Sequence, residues 1–192
     1  MTDAYRFDES STEQAIAYAK IYAGENYSPA METVLKVAFS EKRNLPTFRL
    51  KSSDTILLSG YMKKWVGAYL AGYNNRPSVR TGNCSGTHPD PMAKTILRAR
   101  ISGLEDNLAD KIVARHSLLM TIENNIGELL EEYLSVKLSP LGWYCCWGST
   151  IDAVDFCKAD GSLLQIKTSD NSENSSSSRV RQGTPIGKWF RR

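Results

Sequence analysis

The hydrophobic pattern of this chain changes its period once, at residues 140–142, and this change limits the fold more than any other feature of the sequence. From Ser11 to about Ser139, apolar residues recur at the three- and four-residue spacing of helices. Beyond it, short apolar runs alternate with turn residues, as in strands. A helical N-terminal half followed by a β-meander predicts an α+β (mixed α/β) fold, with a long helix packed on a small sheet.

Turn and capping residues set the bounds of the predicted elements. Gly24 ends the first helix, the 74–77 loop ends the third, and Pro140 with Gly142 ends the last. Helices are predicted over residues 13–23, 29–42, 53–73, 91–101 and 104–138, the last segment as one helix or as two. Strands are predicted over residues 143–147, 153–158 and 162–167. We divide the chain into a helical region, residues 1–103, and a second region, residues 104–192.

Composition excludes several classes of protein. Hydrophobic residues make up 41% of the 192 residues and charged residues 23%, which is typical of a globular chain. No apolar run is long enough to span a membrane, and the polar N-terminus lacks the features of a signal peptide. We therefore expect a cytoplasmic protein without a membrane partner. The net charge is only +3, but residues 179–192 carry five basic side chains and no acid, which fits either phosphate contact or a solvated surface.

The second and third predicted strands carry the residues that suggest chemistry. Asp155 is followed ten residues later by Gln165, Ile166 and Lys167. Phosphodiester hydrolysis uses a divalent metal to polarise the phosphate and to lower the pKa of an attacking water. Mg²⁺ prefers carboxylate and amide oxygens, and a neighbouring lysine can orient the water or neutralise developing charge. Asp155 and Gln165 are thus candidate magnesium ligands, with Lys167 as the candidate catalytic amine.

This site depends on the register of the hairpin. A three-residue turn at residues 159–161 would place Lys158 opposite Ser162 and Asp155 opposite Gln165. Asp155, Gln165 and Lys167 would then share one face, while the other face would be filled by Val154, Phe156, Leu164 and Ile166. A two-residue turn would pair Asp155 with Ile166 and separate the three polar groups.

Asp152 is the competing acid, and in an extended strand it would point away from Asp155. Taken alone, this spacing of an acid, an amide and a lysine recurs often by chance, and each residue could be an ordinary surface residue of a strand. The neighbouring motifs favour a catalytic site over ordinary surface residues.

Those motifs resemble the PD-(D/E)xK nuclease core, in which a helix supplies a glutamate and a hairpin supplies an acid and an (Asp/Glu/Gln)-x-Lys triplet. The helix segment from Gly127 to Glu131, the Gly142-Trp143 junction, Asp155 and residues 165–167 carry this resemblance. The stretch from Gln165 to the C-terminus also resembles the SinI-type restriction endonucleases. The shared runs are residues 165–167, 171–177, 180–181, 183–184 and 188–189.

The resemblance implies a type II restriction endonuclease that cuts double-stranded DNA at a short GC-rich site with a central A/T pair. It implies a homodimer, since a symmetric site needs two active sites. The helical region, residues 1–103, would then supply the dimer surface, further DNA contacts or both. It also implies that Glu131 is a third magnesium ligand, whereas Glu128 and Glu132 fit a solvated helix face. The residues that would contact DNA are Asn171, Ser172, Asn174, Ser175, Arg179, Arg181 and Lys188.

Two departures from the superfamily pattern matter. Gln165 stands where the pattern usually has an acid, which lowers the negative charge available to a metal. The superfamily core also continues with a further helix and strand, so we expect a core that is incomplete at its C-terminal end. Two other functions fit the same sequence: a structure-specific repair or phage nuclease, and a DNA-binding module with a degenerate, inactive nuclease core.

Overall fold

The computed structural model describes residues 7, 9–48, 57–80, 90–168 and 186–191. Five α-helices are described: α1 (Thr12–Ala23), α2 (Pro29–Ser40), α3 (Leu58–Asn74), α4 (Ala93–Arg100) and α5 (Asp106–Leu138). Four strands follow in the chain: β1 (Trp143–Cys145), β2 (Phe156–Lys158), β3 (Leu163–Thr168) and β4 (Ile186–Arg191). The α+β prediction, with its helical N-terminal half, small sheet and long helix, is confirmed.

The strands form one sheet in the order β1-β2-β3-β4, and the chain visits them in sequence. β1 pairs with β2 and β2 with β3 in antiparallel fashion, whereas β4 lies parallel to β3. β4 is not among the strands predicted from the sequence. The apolar and aromatic content of residues 186–190 favours a strand, so this signal was present in the sequence.

The chain divides into two compact units, residues 1–76 with 131–192, and residues 77–130. α5 therefore contributes its last turns to the first unit and its remainder to the second. In the second unit, Lys94 of α4 pairs with Asp110 of α5 (Nζ–Oδ2 2.8 Å), and Arg98 pairs with Asp106 (2.8 Å). No helix in the described part of the chain has the length and apolar character needed to cross a membrane.

The hydrophobic core of the first unit is built by α1, α2, α3 and one face of the sheet. α2 begins where the Ser28 hydroxyl accepts a hydrogen bond from the Met31 amide (3.2 Å), with Pro29 in the first turn. The buried residues of α1 are all alanines, which let α3 approach closely; they are Ala15, Ala19 and Ala23. The largest buried side chain is that of Trp65 in α3.

The loop between β1 and β2 is anchored to this core. The Trp65 indole Nε1 donates a hydrogen bond to the Thr150 carbonyl oxygen (2.9 Å), and Ile151 is fully buried. The Asp152 amide donates to the Asn44 carbonyl oxygen (2.9 Å). These contacts fix the chain as it returns to the sheet just before Asp155.

Candidate functional site

The β2–β3 hairpin has the register that the sequence predicts. Phe156 pairs with Leu164 and Cys157 with Leu163, and the Lys158 amide donates to the Ser162 carbonyl oxygen (2.9 Å). Gly161 has φ +86°, a conformation that glycine adopts without steric cost. The three-residue turn at residues 159–161 is therefore present, and counting back from it brings Asp155 level with Gln165.

The predicted start of the second strand at Ala153 is wrong, because regular pairing begins only at Phe156. Ala153 has φ +59°, and the Val154 amide donates to the Ile151 carbonyl oxygen (3.3 Å), which closes a turn. Anchoring of the preceding loop to Trp65 forces this turn. Asp155 thus lies immediately before the strand.

Asp155 nevertheless lies between β1 and β3. Its carbonyl oxygen accepts from the Cys146 amide (2.8 Å), and its own amide donates to the Leu164 carbonyl oxygen (3.0 Å). Its carboxylate Oδ2 accepts a hydrogen bond from the Ile166 amide at 2.6 Å. That amide belongs to the peptide that joins Gln165 to Ile166, so the carboxylate is held against the strand that carries Gln165 and Lys167.

The predicted division of apolar residues between the two faces is wrong in one respect. Val154 and Cys157 both belong to the same core cluster, which a regular strand could not allow because side chains alternate. The turn at Ala153 removes the alternation. Leu163 also packs on this cluster, so Gln165 and Lys167, which follow Leu163 at two-residue spacing, lie on the face that the helices cover. Gln165 and Lys167 therefore lie on the same face of the sheet as the core, at the end of the hairpin away from the 159–161 turn.

Gln165 combines burial with an unsatisfied polar atom. The residue is only 6% exposed, and among the described residues none forms a hydrogen bond with its Oε1 atom. A buried amide oxygen without a partner costs about 1–3 kcal/mol. Such an atom next to a carboxylate is suited to coordinate a cation.

The charges of Asp155 and Lys167 influence each other. Burial raises the pKa of Asp155 above its usual value, opposed by the Ile166 hydrogen bond and by the positive charge of Lys167. Burial lowers the pKa of Lys167, which the charge of Asp155 opposes and the charge of Lys188 reinforces. Both shifts make the charged forms less favourable than in water, as expected of a partly buried pair.

The three glutamates in the last part of α5 have different surroundings. Glu128 accepts from Arg80 (Nη1–Oε2 2.9 Å), and Glu132 pairs with Arg76 (Nε–Oε1 3.4 Å). Glu131 lies near β1: burial raises the pKa of the Cys145 thiol well above its usual value, and the charges of Glu131 and Asp155 add to that rise. Cys145 thus lies within electrostatic range of both carboxylates.

The other predicted site residues divide into two groups. Asp152 is exposed in the turn before the hairpin. Lys188 lies on β4 directly beside Gln165. The remaining predicted DNA contacts lie outside the described residues; these are Asn171, Ser172, Asn174, Ser175, Arg179 and Arg181.

The side chains that could bind a metal in this site are a carboxylate and an amide. Within the described ranges, no three His, Cys, Asp or Glu side chains meet closely enough to hold a metal ion. Asp155 and Gln165 offer a carboxylate and an orphaned amide oxygen, which are hard ligands of the kind that Mg²⁺ prefers. The residues present therefore fit a weakly held magnesium ion better than a transition metal that needs histidine or thiolate ligands.

The fold and the site together define an α+β protein with an acid, an amide and an amine on one hairpin. The chain belongs to the SinI restriction endonuclease family, whose model matches residues 52–192. It is 46% identical over 110 residues to the type II restriction enzyme SinI of Salmonella infantis, an alignment that covers 55% of this chain and 47% of that enzyme. It is 44% identical over 110 residues to the type II restriction enzyme Eco47I of Escherichia coli, with the same coverage. The chain spans about half the length of each of these relatives.

Proposed function

We propose that this chain is a magnesium-dependent type II restriction endonuclease of the PD-(D/E)xK kind, which hydrolyses phosphodiester bonds of double-stranded DNA at a short specific site. Family membership and the names of the relatives support the reaction class. The observation that carries the proposal is the orphaned amide oxygen of Gln165 beside the strand-bound carboxylate of Asp155.

Each residue has a distinct part in this proposal. Asp155 and Gln165 would hold the metal, and the Ile166 amide fixes the Asp155 carboxylate against β3. Lys167 holds the attacking water and stabilises the charge that develops on the phosphate. When bound, Mg²⁺ polarises the phosphate and lowers the pKa of the water. Glu131 completes the ligand set from α5, as the resemblance to the nuclease core implies, and its charge acts on Cys145 together with that of Asp155.

The enzyme acts as a homodimer in this proposal, since cutting both strands at a symmetric site needs two active sites related by a two-fold axis. The polar and basic residues between 171 and 181, together with Lys188, would contact the DNA. A sequence-reading enzyme yields discrete fragments from a plasmid, whereas a nuclease that recognises DNA structure does not.

The test is incubation of plasmid DNA with the protein in Mg²⁺ and in EDTA. We expect discrete fragments in Mg²⁺ only, and no fragments from Asp155→Ala or Lys167→Ala. Asp152→Ala is the matched control, because it removes an exposed acid three residues away, and it should cut as the unmodified protein does. Cutting by Asp155→Ala with loss of cutting by Asp152→Ala would reject the site described above.

A further inference from the structure

We propose that Lys188 contacts the phosphate that is being cut, as a second cation beside Lys167, so that its charge contributes to the chemical step and not only to DNA affinity. This inference rests on the proposed function. It assigns Lys188, one of the predicted DNA-contacting residues, to the catalytic site.

The parallel pairing of β3 and β4 places Lys188 in this position. Leu163 pairs with Ile186, and both pack on the core cluster. Two residues further along the same face, Gln165 pairs with Lys188. Because paired residues of neighbouring strands project to the same face, the Lys188 side chain emerges beside the orphaned amide of Gln165.

The burial pattern along this face changes at Lys188. Ile186 is buried, whereas Lys188 is exposed, so the core ends between these two residues. Gln165 is buried beside it, and Lys167 is half-buried one step further along β3. The ammonium group of Lys188 is therefore open to a ligand that arrives from solvent at the mouth of the site.

The paired strands bring two lysines to one site. The Lys188 charge lowers the pKa of Lys167, so the two ammonium groups lie within electrostatic range of each other. The negative charge of Asp155 also acts on Lys167. Lys167 and Lys188 therefore offer two cationic contacts to the oxygens of one phosphodiester.

The experiment separates the chemical step from binding. Single-turnover cleavage is measured with enzyme in excess over a plasmid fragment that the unmodified protein cuts, and the Kd for that fragment is measured in EDTA. We expect Lys188→Met to cut roughly 10²-fold more slowly at saturating enzyme, the scale of losing one charge-stabilising group. Its Kd should weaken by less than about tenfold, since one phosphate contact is a small part of the total. Lys188→Arg keeps the charge and should retain a rate within about tenfold of the unmodified protein.

Lys36→Met is the matched control, because Lys36 is exposed on α2 and forms a local ion pair with Glu32, four residues earlier in the same helix. A Lys188→Met rate equal to that of this control would overturn the inference, and so would a change confined to the Kd. A Lys188→Arg variant as slow as Lys188→Met would also overturn it. Thermal unfolding identifies a folding defect, in which case Lys188→Gln is measured instead. If the unmodified protein did not cut DNA at all, the proposed function itself would be rejected. That result differs from one in which the unmodified protein cuts and Lys188→Met cuts at the same rate, which rejects only the role of Lys188.

Discussion

The Asp155 carboxylate is held by the backbone amide of Ile166, with 2.6 Å between the amide nitrogen and Oδ2. This bond fixes an acid of the segment before β2 against β3, where Gln165 and Lys167 reside. Asp155 precedes the regular pairing of β2, which begins at Phe156. Its side-chain carboxylate, in place of a backbone carbonyl oxygen, accepts the hydrogen bond from the Ile166 amide. The position of the acid therefore depends on its own side chain as much as on the sheet.

The first prediction concerns the pH dependence of stability in the absence of metal. The folded pKa of Asp155 is raised, mainly by burial, so the folded protein binds more protons than the unfolded chain between the ordinary and the raised values. This contribution to stability is complete below the ordinary aspartate pKa and is lost as pH rises through the folded pKa. Asp155→Asn should remove that decline, as measured by urea unfolding in EDTA from pH 4 to pH 8.

Asp152→Asn is the control for this measurement, because Asp152 is exposed. It should leave the pH profile as it is in the unmodified protein. If Asp155→Asn declined with pH as steeply as the unmodified protein, burial of Asp155 would not be the source of the slope.

The second prediction concerns the unsatisfied amide of Gln165. Replacing it by methionine removes a buried oxygen without a partner and keeps an unbranched side chain of similar length. We expect Gln165→Met to raise the free energy of unfolding by about 1 kcal/mol while abolishing cleavage, because the group serves a ligand and not the fold. Urea unfolding in EDTA and a plasmid assay in Mg²⁺ measure the two effects.

Gln165→Glu tests the opposite change, because it adds a negative charge where Gln165→Met removes a polar group. It should destabilise the metal-free protein, because it buries a second carboxylate near Asp155, and bind Mg²⁺ roughly tenfold more tightly. Stability of Gln165→Met below that of the unmodified protein would indicate that the amide has a structural role.

The sequence predicted the hairpin well because its signals are local. The turn residues at 159–161 set the register, and side-chain alternation placed Gln165 and Lys167 on one face. The strands of the site and the helices before them could be assigned for the same reason. Apolar residues recur at the spacing of each element, and capping or turn residues mark its ends. The α+β class followed from their order along the chain.

Features that depend on distant contacts could not be predicted in this way. Ala153 has a positive φ because Trp65, which lies far away in sequence, holds the loop before it. That turn sends Val154 into the core and shortens β2. Likewise, the neighbour of Lys188 is set by the parallel pairing of β4 with β3, which no short-range pattern encodes.

The third prediction separates the glutamates of α5. Glu131→Gln should weaken Mg²⁺-dependent cleavage by more than about tenfold, since even the outer-shell partners of a metal site cost roughly 10–100-fold when they are replaced. Glu128→Gln should leave cleavage nearly unchanged, because Glu128 is engaged by Arg80 in a partly exposed ion pair worth at most about 1 kcal/mol. Cleavage rates measured over a range of Mg²⁺ concentrations distinguish the two. An equal Mg²⁺ requirement in both variants would remove Glu131 from the ligand set.

The fourth prediction tests how α3 positions the loop that leads to Asp155. Gly72 of α3 packs against the backbone of Gly148, and a Cβ atom added at Gly72 would clash with the backbone of Gly148 and Trp147. Backbone atoms cannot swing away as a side chain can. Gly72→Ala should therefore lower the free energy of unfolding by about 1–3 kcal/mol. Because the displaced loop carries the chain toward Asp155, cleavage should fall as well, by a larger factor than the loss of folded protein explains.

Gly67 offers a control within the same helix, because a Cβ atom added there meets nothing within 4 Å. Gly67→Ala should raise the free energy of unfolding by up to about 1 kcal/mol through helix propensity alone, and it should not change cleavage. Both quantities come from urea unfolding and from single-turnover rates measured at a temperature where all three proteins are folded. If Gly72→Ala were as stable and as active as Gly67→Ala, the close approach of α3 to residues 147–148 would not determine the position of Asp155.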